Sequence, residues 1–256
     1  CYLLDNEEQT AILEVAQTSG LHFTTDDVNS TEASSYSLGE LIKHILVSHR
    51  NVKEIIIGLG GSAINDGGIG MMQALGGSFT RQDGKEIARG VNEIQKIDAI
   101  SDADLHPHLK EINFTLLSDV KNPLVGKNGA TFIFGKQKGI KNLQETDNAL
   151  RHYSHLLTTK YGVTHQDYPG TGAAGGLGFS LLYFANTTYL SGATYLIEKS
   201  GLLETLTHTD LVITGEGKMD EQSIYGKLPF VIANNAKNHQ IPVIGVVGDR
   251  HDVTNK

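Results

Sequence analysis

The chain has 256 residues, enough for one large domain or two modest ones, and its 39% apolar and 20% charged residues are typical of a globular protein. The formal net charge is −8 and no long basic run is present, which argues against nucleic acid or an anionic membrane as a partner. The longest apolar stretch, 172–185, is short and broken by glycines, so no membrane span is predicted, and the single Cys1, which cannot form an internal disulfide, fits a reducing compartment.

The chain is predicted to open with a hairpin followed by an amphipathic helix. Apolar residues at 1–4, a polar turn at 5–8 and a β-rich run at 10–15 predict two antiparallel strands. After a polar loop, apolar residues recur at helical spacing, which predicts a helix that Ser37 caps and that ends near Ser48.

The remaining chain alternates short apolar runs with helical patterns. Strands are predicted at 53–57, 114–117, 211–213 and 243–247, and helices at 69–75, Leu143–Tyr161, Leu177–Phe184 and 229–239. Continuous apolar strands separated by helices predict a parallel sheet covered on both faces, and therefore an α/β fold. Ligands of such sheets bind beyond the carboxyl ends of the strands, where the polar loops of this chain fall.

The loop after the first of these strands is rich in glycine. Gly60 and Gly61 allow backbone N–H groups to approach an anion, and Ser62 and Asn65 could bind a phosphate or cap the next helix. Asp66 could hold a metal ion or accept a proton. The alternative is a strand-to-helix turn in which Asn65 or Asp66 is the helix N-cap.

The same loop also matches a dinucleotide fingerprint, since Gly58 to Ala63 reads G-x-G-x-x-A after a strand. Two features weaken this interpretation. Asp66 would place a carboxylate near the pyrophosphate, and the acid expected about 20 residues further on is Asp83, which lies in an Asp-Gly turn pattern. A nicotinamide-dependent oxidoreductase therefore stays an alternative.

The second polar loop begins with Asp119 at the end of a predicted strand. An Asp followed by Asn-Pro is typical of a turn, but Asp119 could also act as a catalytic base. Three lysines, Lys127, Lys136 and Lys138, follow among glycines. In an acidic chain, this cluster favours an anionic ligand.

The third polar loop is acidic and leaves the strand predicted at 211–213. Glu216, Asp220 and Glu221 offer the hard oxygen ligands that Mg²⁺ prefers, and Lys227 follows them. The alternative is that these acids cap the helix predicted at 229–239.

Four motifs, at 58–70, 119–139, 172–178 and 210–227, occur in the order and spacing of the type-1 glycerate kinase family, which the chain resembles along essentially its whole length. The resemblance implies a cytoplasmic enzyme that phosphorylates D-glycerate with ATP and Mg²⁺, at the 2-position. It implies small-molecule partners and neither nucleic acid nor a membrane.

The resemblance also implies a Rossmann-like α/β domain into which a second α/β domain is inserted. We expect the first domain at 1–75 with 205–256 and the second at 76–204. Family members begin with a strand leading into an Asp-Ser-Phe-Lys-Gly-Ser loop and continue past the last strand predicted here. Because this chain matches only the interior of that pattern, we expect little activity from it alone.

Phosphoryl transfer requires a phosphate cradle, a divalent cation, neutralising charges and a base near the acceptor hydroxyl. The predicted roles are catalytic for Asp220, Asp119 and Lys227, phosphate- or nucleotide-binding for Gly60, Gly61, Ser62, Asn65 and Lys138, and metal-binding for Asp66 and Glu216. A non-catalytic fragment that binds a nucleotide or phosphometabolite is a third hypothesis.

Overall fold

A computed structural model describes residues 1–24, 32–219 and 227–250. The chain divides into two compact units, Cys1–Tyr189 (unit 1) and Leu190–Lys256 (unit 2). The strands are β1 Leu3–Asp5, β2 Thr10–Glu14, β3 Glu54–Gly58, β4 Ser78–Thr80, β5 Ala99–Ser101, β6 Asn113–Leu117, β7 Asn186–Leu190, β8 Val212–Met219 and β9 Val243–Arg250. The α-helices are α1 Ala16–Ser19, α2 Tyr36–Ser48, α3 Ile69–Ala74, α4 Ala130–Phe134, α5 Leu143–Tyr161, α6 Leu177–Phe184, α7 Gly192–Lys199, α8 Leu202–Leu206 and α9 Leu228–Asn238.

The main sheet has the strand order β1-β2-β3-β6-β7. The pairs β2–β3 and β3–β6 are parallel, whereas β1 pairs antiparallel with β2, as the predicted hairpin requires. Ile55, Ile56 and Ile57 of β3 are all buried, because a central strand covered on both faces needs a continuous apolar run. The predicted α/β class with a mostly parallel sheet is confirmed.

The predicted amphipathic helix is α2, and its apolar stripe faces the core. Leu38, Ile42, Ile45 and Leu46 are buried, as the helical spacing predicted. The predicted cap was wrong, because the residue before the helix is Ser35. The predicted bounds of α5 and α6 are reproduced without change.

Several elements were not predicted, because they are short or lack an apolar run. The ribbon of β4 and β5 has three residues in each strand. Strand β7 has no fully buried residue and is polar at Asn186, Thr187 and Thr188, which conceals it in a search for apolar runs. Helices α4, α7 and α8 have five to eight residues each.

Unit 2 contains the parallel pair β8–β9 and a small core of Leu206, Ala236 and Ile241. Both strands are longer than the sequence predicted. In unit 1, β6 and β7 lie in one sheet with β2 and β3, so the main sheet continues past the boundary predicted near residue 75. The assignment of 205–256 to the same domain as 1–75 stays a prediction. Within the described ranges, no helix has both the length and the apolar character needed to cross a bilayer.

Candidate functional site

A pocket of about 280 Å³ lies in unit 1 beyond the ends of two neighbouring strands. Strands β3 and β6 are parallel, so the loops that follow them meet at one edge of the sheet, the usual ligand position in an α/β fold. The predicted residues that line this pocket are Gly60, Gly61, Ser62, Asp119 and Lys138. The structure therefore brings the first and second polar loops together.

The glycine-rich turn offers backbone donors at this pocket. Gly61 has φ +69°, a left-handed conformation that favours glycine, and its carbonyl accepts a hydrogen bond from the Leu21 N–H at 2.9 Å. Within the described residues, the N–H groups of Gly60, Gly61 and Ser62 have no hydrogen-bond acceptor. Consecutive unpaired N–H groups in such a turn form an anion-binding concavity.

Lys138 adds a buried cation to the same pocket. It ends a short 3₁₀-helix, Lys136–Lys138, and is only 5% exposed. Its Nζ donates to the Ile64 carbonyl at 2.7 Å and to Ser62 Oγ at 3.3 Å. Burial lowers the pKa of the Lys138 ammonium group to about 7, and the negative charge of Asp66 opposes this shift. Lys127 and Lys136 are exposed, so of the three predicted lysines Lys138 alone lines the pocket.

Asn65, the fifth residue predicted to bind phosphate, makes internal contacts instead of lining the pocket. It is 1% exposed, and its Nδ2 donates to Thr131 Oγ1 at 2.9 Å, which joins the glycine-rich loop to α4. Its Oδ1 is buried and has no partner among the described residues. The phosphate-binding role of Asn65 stays a prediction that these contacts do not support.

Asp66 is 1% exposed and accepts hydrogen bonds from two helix beginnings. Its carboxylate receives the Ser35 N–H at 2.8 Å, Ser35 Oγ at 2.9 Å and Ser34 Oγ at 3.3 Å before α2. It also receives the N–H groups of Gly68 and Gly70, at 3.2 and 3.3 Å, at the start of α3. These contacts favour the capping alternative. The predicted metal role stays a prediction, and the described ranges contain no group of three or more acidic, His or Cys side chains placed to hold a metal ion.

The glycines of the 172–178 motif pack against the glycine-rich loop. Gly175 has φ +65°, and its carbonyl accepts the Gly67 N–H at 2.9 Å. A Cβ at Gly175 would lie 2.1 Å from the Ile64 carbonyl oxygen, so no side chain fits there. Ser180 Oγ donates to the Gly67 carbonyl at 2.6 Å. This motif lines the pocket with Ala173 and Ala174 and brings no polar side chain to it.

Asp119 is exposed and follows β6. The loop after Asp119 is held by Asp147, a residue that the sequence analysis did not identify. Asp147 on α5 is 1% exposed, accepts the Gly126 N–H at 2.8 Å and pairs with Arg151 at 3.0 Å. Asn122 Nδ2 donates to the Asn128 carbonyl at 2.8 Å within the same loop. An acid on a polar helix gives no sequence signal for this role, because only tertiary packing shows that it is buried.

In unit 2, the structure brings Glu216 and Lys227 together. Lys227 Nζ lies 3.6 Å from Glu216 Oε2, with the side chains 37% and 15% exposed. Glu216 Oε1 is buried and has no partner among the described residues. Asp220 and Glu221 lie outside the described residues, so their predicted roles stay predictions.

Asp83, the acid expected to bind the ribose in a dinucleotide site, does not lie at the end of a strand of the main sheet. Asp83 lies in the turn after β4 and makes exposed ion pairs with Arg81 at 3.5 Å and Lys85 at 3.8 Å. It follows a strand of the small ribbon and not a strand of the main sheet.

The fold and the pocket define an α/β protein whose parallel strands end at a site rich in hydrogen-bond donors. A family model described as the glycerate kinase family matches residues 1–256, and the chain belongs to this family. The predicted resemblance is confirmed.

Named relatives agree with this assignment. Glycerate 2-kinase of Escherichia coli K12 is 41% identical over 252 residues, which cover 97% of this chain and 66% of the relative. Glycerate kinase of Halalkalibacterium halodurans is 36% identical over 250 residues, which cover 96% and 65%. A crystal structure assigned as glycerate kinase 2 from Salmonella typhimurium LT2 superposes with a TM-score of 0.83 at 39% identity, covering 97% of this chain and 67% of that one. The chain thus spans about two thirds of the length of the proteins that it matches.

Proposed function

We propose that this chain takes part in the phosphorylation of D-glycerate by ATP with Mg²⁺, giving 2-phosphoglycerate. The observation that carries the proposal is the pocket lined by the buried ammonium group of Lys138 and by Gly60, Gly61 and Ser62, whose N–H groups have no acceptor among the described residues. Both substrates of such a kinase are anions, and preorganised donors stabilise the charge of anionic groups. Membership of the glycerate kinase family supports the choice of reaction.

We assign different residues to substrate binding and to proton transfer in this reaction. The glycine turn and Lys138 bind an anionic group of a substrate, and Asp119 at the same pocket is the candidate base for the acceptor hydroxyl. Lys227 and Asp220 keep their predicted catalytic roles.

Glu216 is the described residue that best fits a role in holding Mg²⁺. Its buried Oε1 has no partner among the described residues, and an unpaired carboxylate oxygen suits a hard cation. Mg²⁺ would neutralise the phosphate charges when bound. We propose the cytoplasm as the compartment, as the family resemblance implies.

The direct test is glycerate-dependent formation of ADP, with the product identified by NMR. We expect turnover that requires ATP and Mg²⁺. Binding of these substrates without release of ADP would favour the non-catalytic alternative.

The sharpest variant for this test is Asp220→Asn, which keeps the size of the side chain and removes its charge. We expect turnover to fall by about 10²–10⁴, the scale of a general acid–base group. Asp83→Asn is the matched control, because Asp83 lies in an exposed turn. Equal turnover in the two variants would remove Asp220 from the mechanism.

A further inference from the structure

The pocket of unit 1 has a charge pattern that distinguishes between the two substrates of the proposed reaction. Its lining offers the backbone N–H groups of Gly60, Gly61 and Ser62, the buried ammonium group of Lys138 and the exposed carboxylate of Asp119. Its volume of about 280 Å³ lies just below the range of about 300–1,000 Å³ that is usual for sites of drug-sized ligands. A ligand that fits this lining is small and has both an anionic group for the donors and a hydroxyl group for Asp119.

We propose that this pocket binds the acceptor, a small 2-hydroxy carboxylate, and not the triphosphate of the nucleotide. The inference rests on the proposed function and departs from the phosphate-binding role predicted from the sequence. The carboxylate accepts hydrogen bonds from the N–H groups of Gly60, Gly61 and Ser62 and from Lys138. The hydroxyl group donates to Asp119.

A triphosphate is the poorer occupant on grounds of charge. It carries several negative charges, whereas the lining of this pocket supplies a single ammonium group and also a carboxylate, that of Asp119. A monocarboxylate carries one negative charge, which the ammonium group balances.

With the acceptor in this pocket, Asp119 acts as the base for its hydroxyl group. The hydroxyl oxygen of the bound acid attacks the γ-phosphorus of the nucleotide, and a new P–O bond forms as the bridging P–O bond to the β-phosphate breaks. The hydroxyl proton passes to Asp119, and the electron pair of the broken bond leaves with the nucleoside diphosphate.

The test is a double-mutant cycle in which the ligand hydroxyl and the Asp119 carboxylate are each removed. Ligand affinity is measured by calorimetry on the chain. The ligands are D-lactate and propionate, which differ only in the 2-hydroxyl group. We expect the wild-type chain to prefer D-lactate by roughly tenfold, the scale of a hydrogen bond to a charged group, and Asp119→Asn to lose most of that preference. Lys138→Met should weaken both ligands by a similar factor, and the exposed Lys136→Met should weaken neither.

Competition with inorganic tripolyphosphate separates this inference from the proposed function. If tripolyphosphate displaces D-glycerate and its binding requires Lys138, the pocket is a phosphate site, and this inference fails while glycerate-dependent formation of ADP stands. Failure of a folded chain to bind any 2-hydroxy acid, or an unchanged preference in Asp119→Asn, also overturns it. If D-glycerate binds through Lys138 but no ADP forms, the proposed function fails and the binding assignment holds.

Discussion

Two buried charged residues near the glycine-rich loop, Lys138 and Asp66, differ in their hydrogen-bond partners and in whether they line the pocket. Asp66 accepts five hydrogen bonds from the beginnings of α2 and α3, so its carboxylate is satisfied inside the protein. Lys138 donates to Ser62 and the Ile64 carbonyl, and it lines a pocket. Loss of Asp66 is therefore expected to lower stability, and loss of Lys138 to weaken ligand binding.

Lys138 predicts opposite pH dependences for stability and for anion binding. Its folded-state pKa of about 7 lies below the ordinary value of 10.5, so between these values the unfolded chain binds more protons than the folded chain. The contribution of Lys138 to the free energy of unfolding therefore rises as pH increases from about 7 to 10.5. The ammonium group is lost over the lower part of the same range, so affinity for D-glycerate should fall above pH 7.

The measurement is chemical denaturation and calorimetric titration of D-glycerate across this pH range, in the wild type and in Lys138→Met. The variant should lose both dependences, because Met keeps the length of the side chain without a titratable group. Parallel pH profiles in the two proteins would mean that Lys138 does not control either property.

Asp66→Asn should destabilise unit 1. The amide keeps one oxygen acceptor but places an NH₂ group against donors, so several of the five hydrogen bonds are lost. We expect a loss of about 2–4 kcal/mol in the free energy of unfolding, measured by denaturant titration, since buried donors are left unpaired. Asp83→Asn, in an exposed turn, should change it by less than about 0.5 kcal/mol. Normal stability of Asp66→Asn, combined with lost Mg²⁺ dependence of turnover, would support the metal role predicted from the sequence.

At the scale of elements, two glycine-rich segments with similar backbone conformations have different functions. Gly61 and Gly175 have φ values of +69° and +65°, so both positions favour glycine. A Cβ at Gly61 would meet only the Ala16 Cβ, at 3.4 Å, whereas a Cβ at Gly175 would lie 2.1 Å from the Ile64 carbonyl oxygen. Both segments line the pocket, but the first brings the turn at Gly61 to it, whereas Gly175 of the second packs against the backbone of the first.

Gly61→Ala and Gly175→Ala form a matched pair for this distinction. Gly61→Ala should cost about 1 kcal/mol of stability from the left-handed conformation, and it should abolish binding of D-glycerate because the Cβ blocks approach to the N–H groups. Gly175→Ala should cost several times more, because the backbone of 64–65 must move. Thermal unfolding and calorimetry measure both effects. Undiminished binding in Gly61→Ala would make this turn purely structural.

At the scale of the whole molecule, the three hypotheses drawn from the sequence predict different ligands for one chain. A ligand that binds only the folded state raises the melting temperature, so a thermal-shift comparison separates them. We expect D-glycerate to raise the melting temperature and NAD to leave it unchanged. Lys138→Met should remove the D-glycerate shift. A shift with NAD alone would revive the oxidoreductase alternative.

The sequence by itself determined the α/β class, the hairpin, the bounds of α5 and α6, and the glycine turn at 60–61. Apolar periodicity and local turn chemistry act over a few residues, so they can be recognised without knowledge of the fold. The resemblance of four motifs in order also identified the family correctly.

Only the tertiary structure decided which of the polar candidates reach the pocket. The sequence does not distinguish Lys138 from Lys127 and Lys136. Tertiary packing buries Lys138 against Ser62 and the Ile64 carbonyl. The sequence leaves the metal and capping roles of Asp66 equally open, and the structure favours capping because Ser34 and Ser35, more than 30 residues earlier in the chain, donate to its carboxylate. Burial and hydrogen-bond partners depend on contacts between residues far apart in the chain, and local sequence pattern does not encode such contacts.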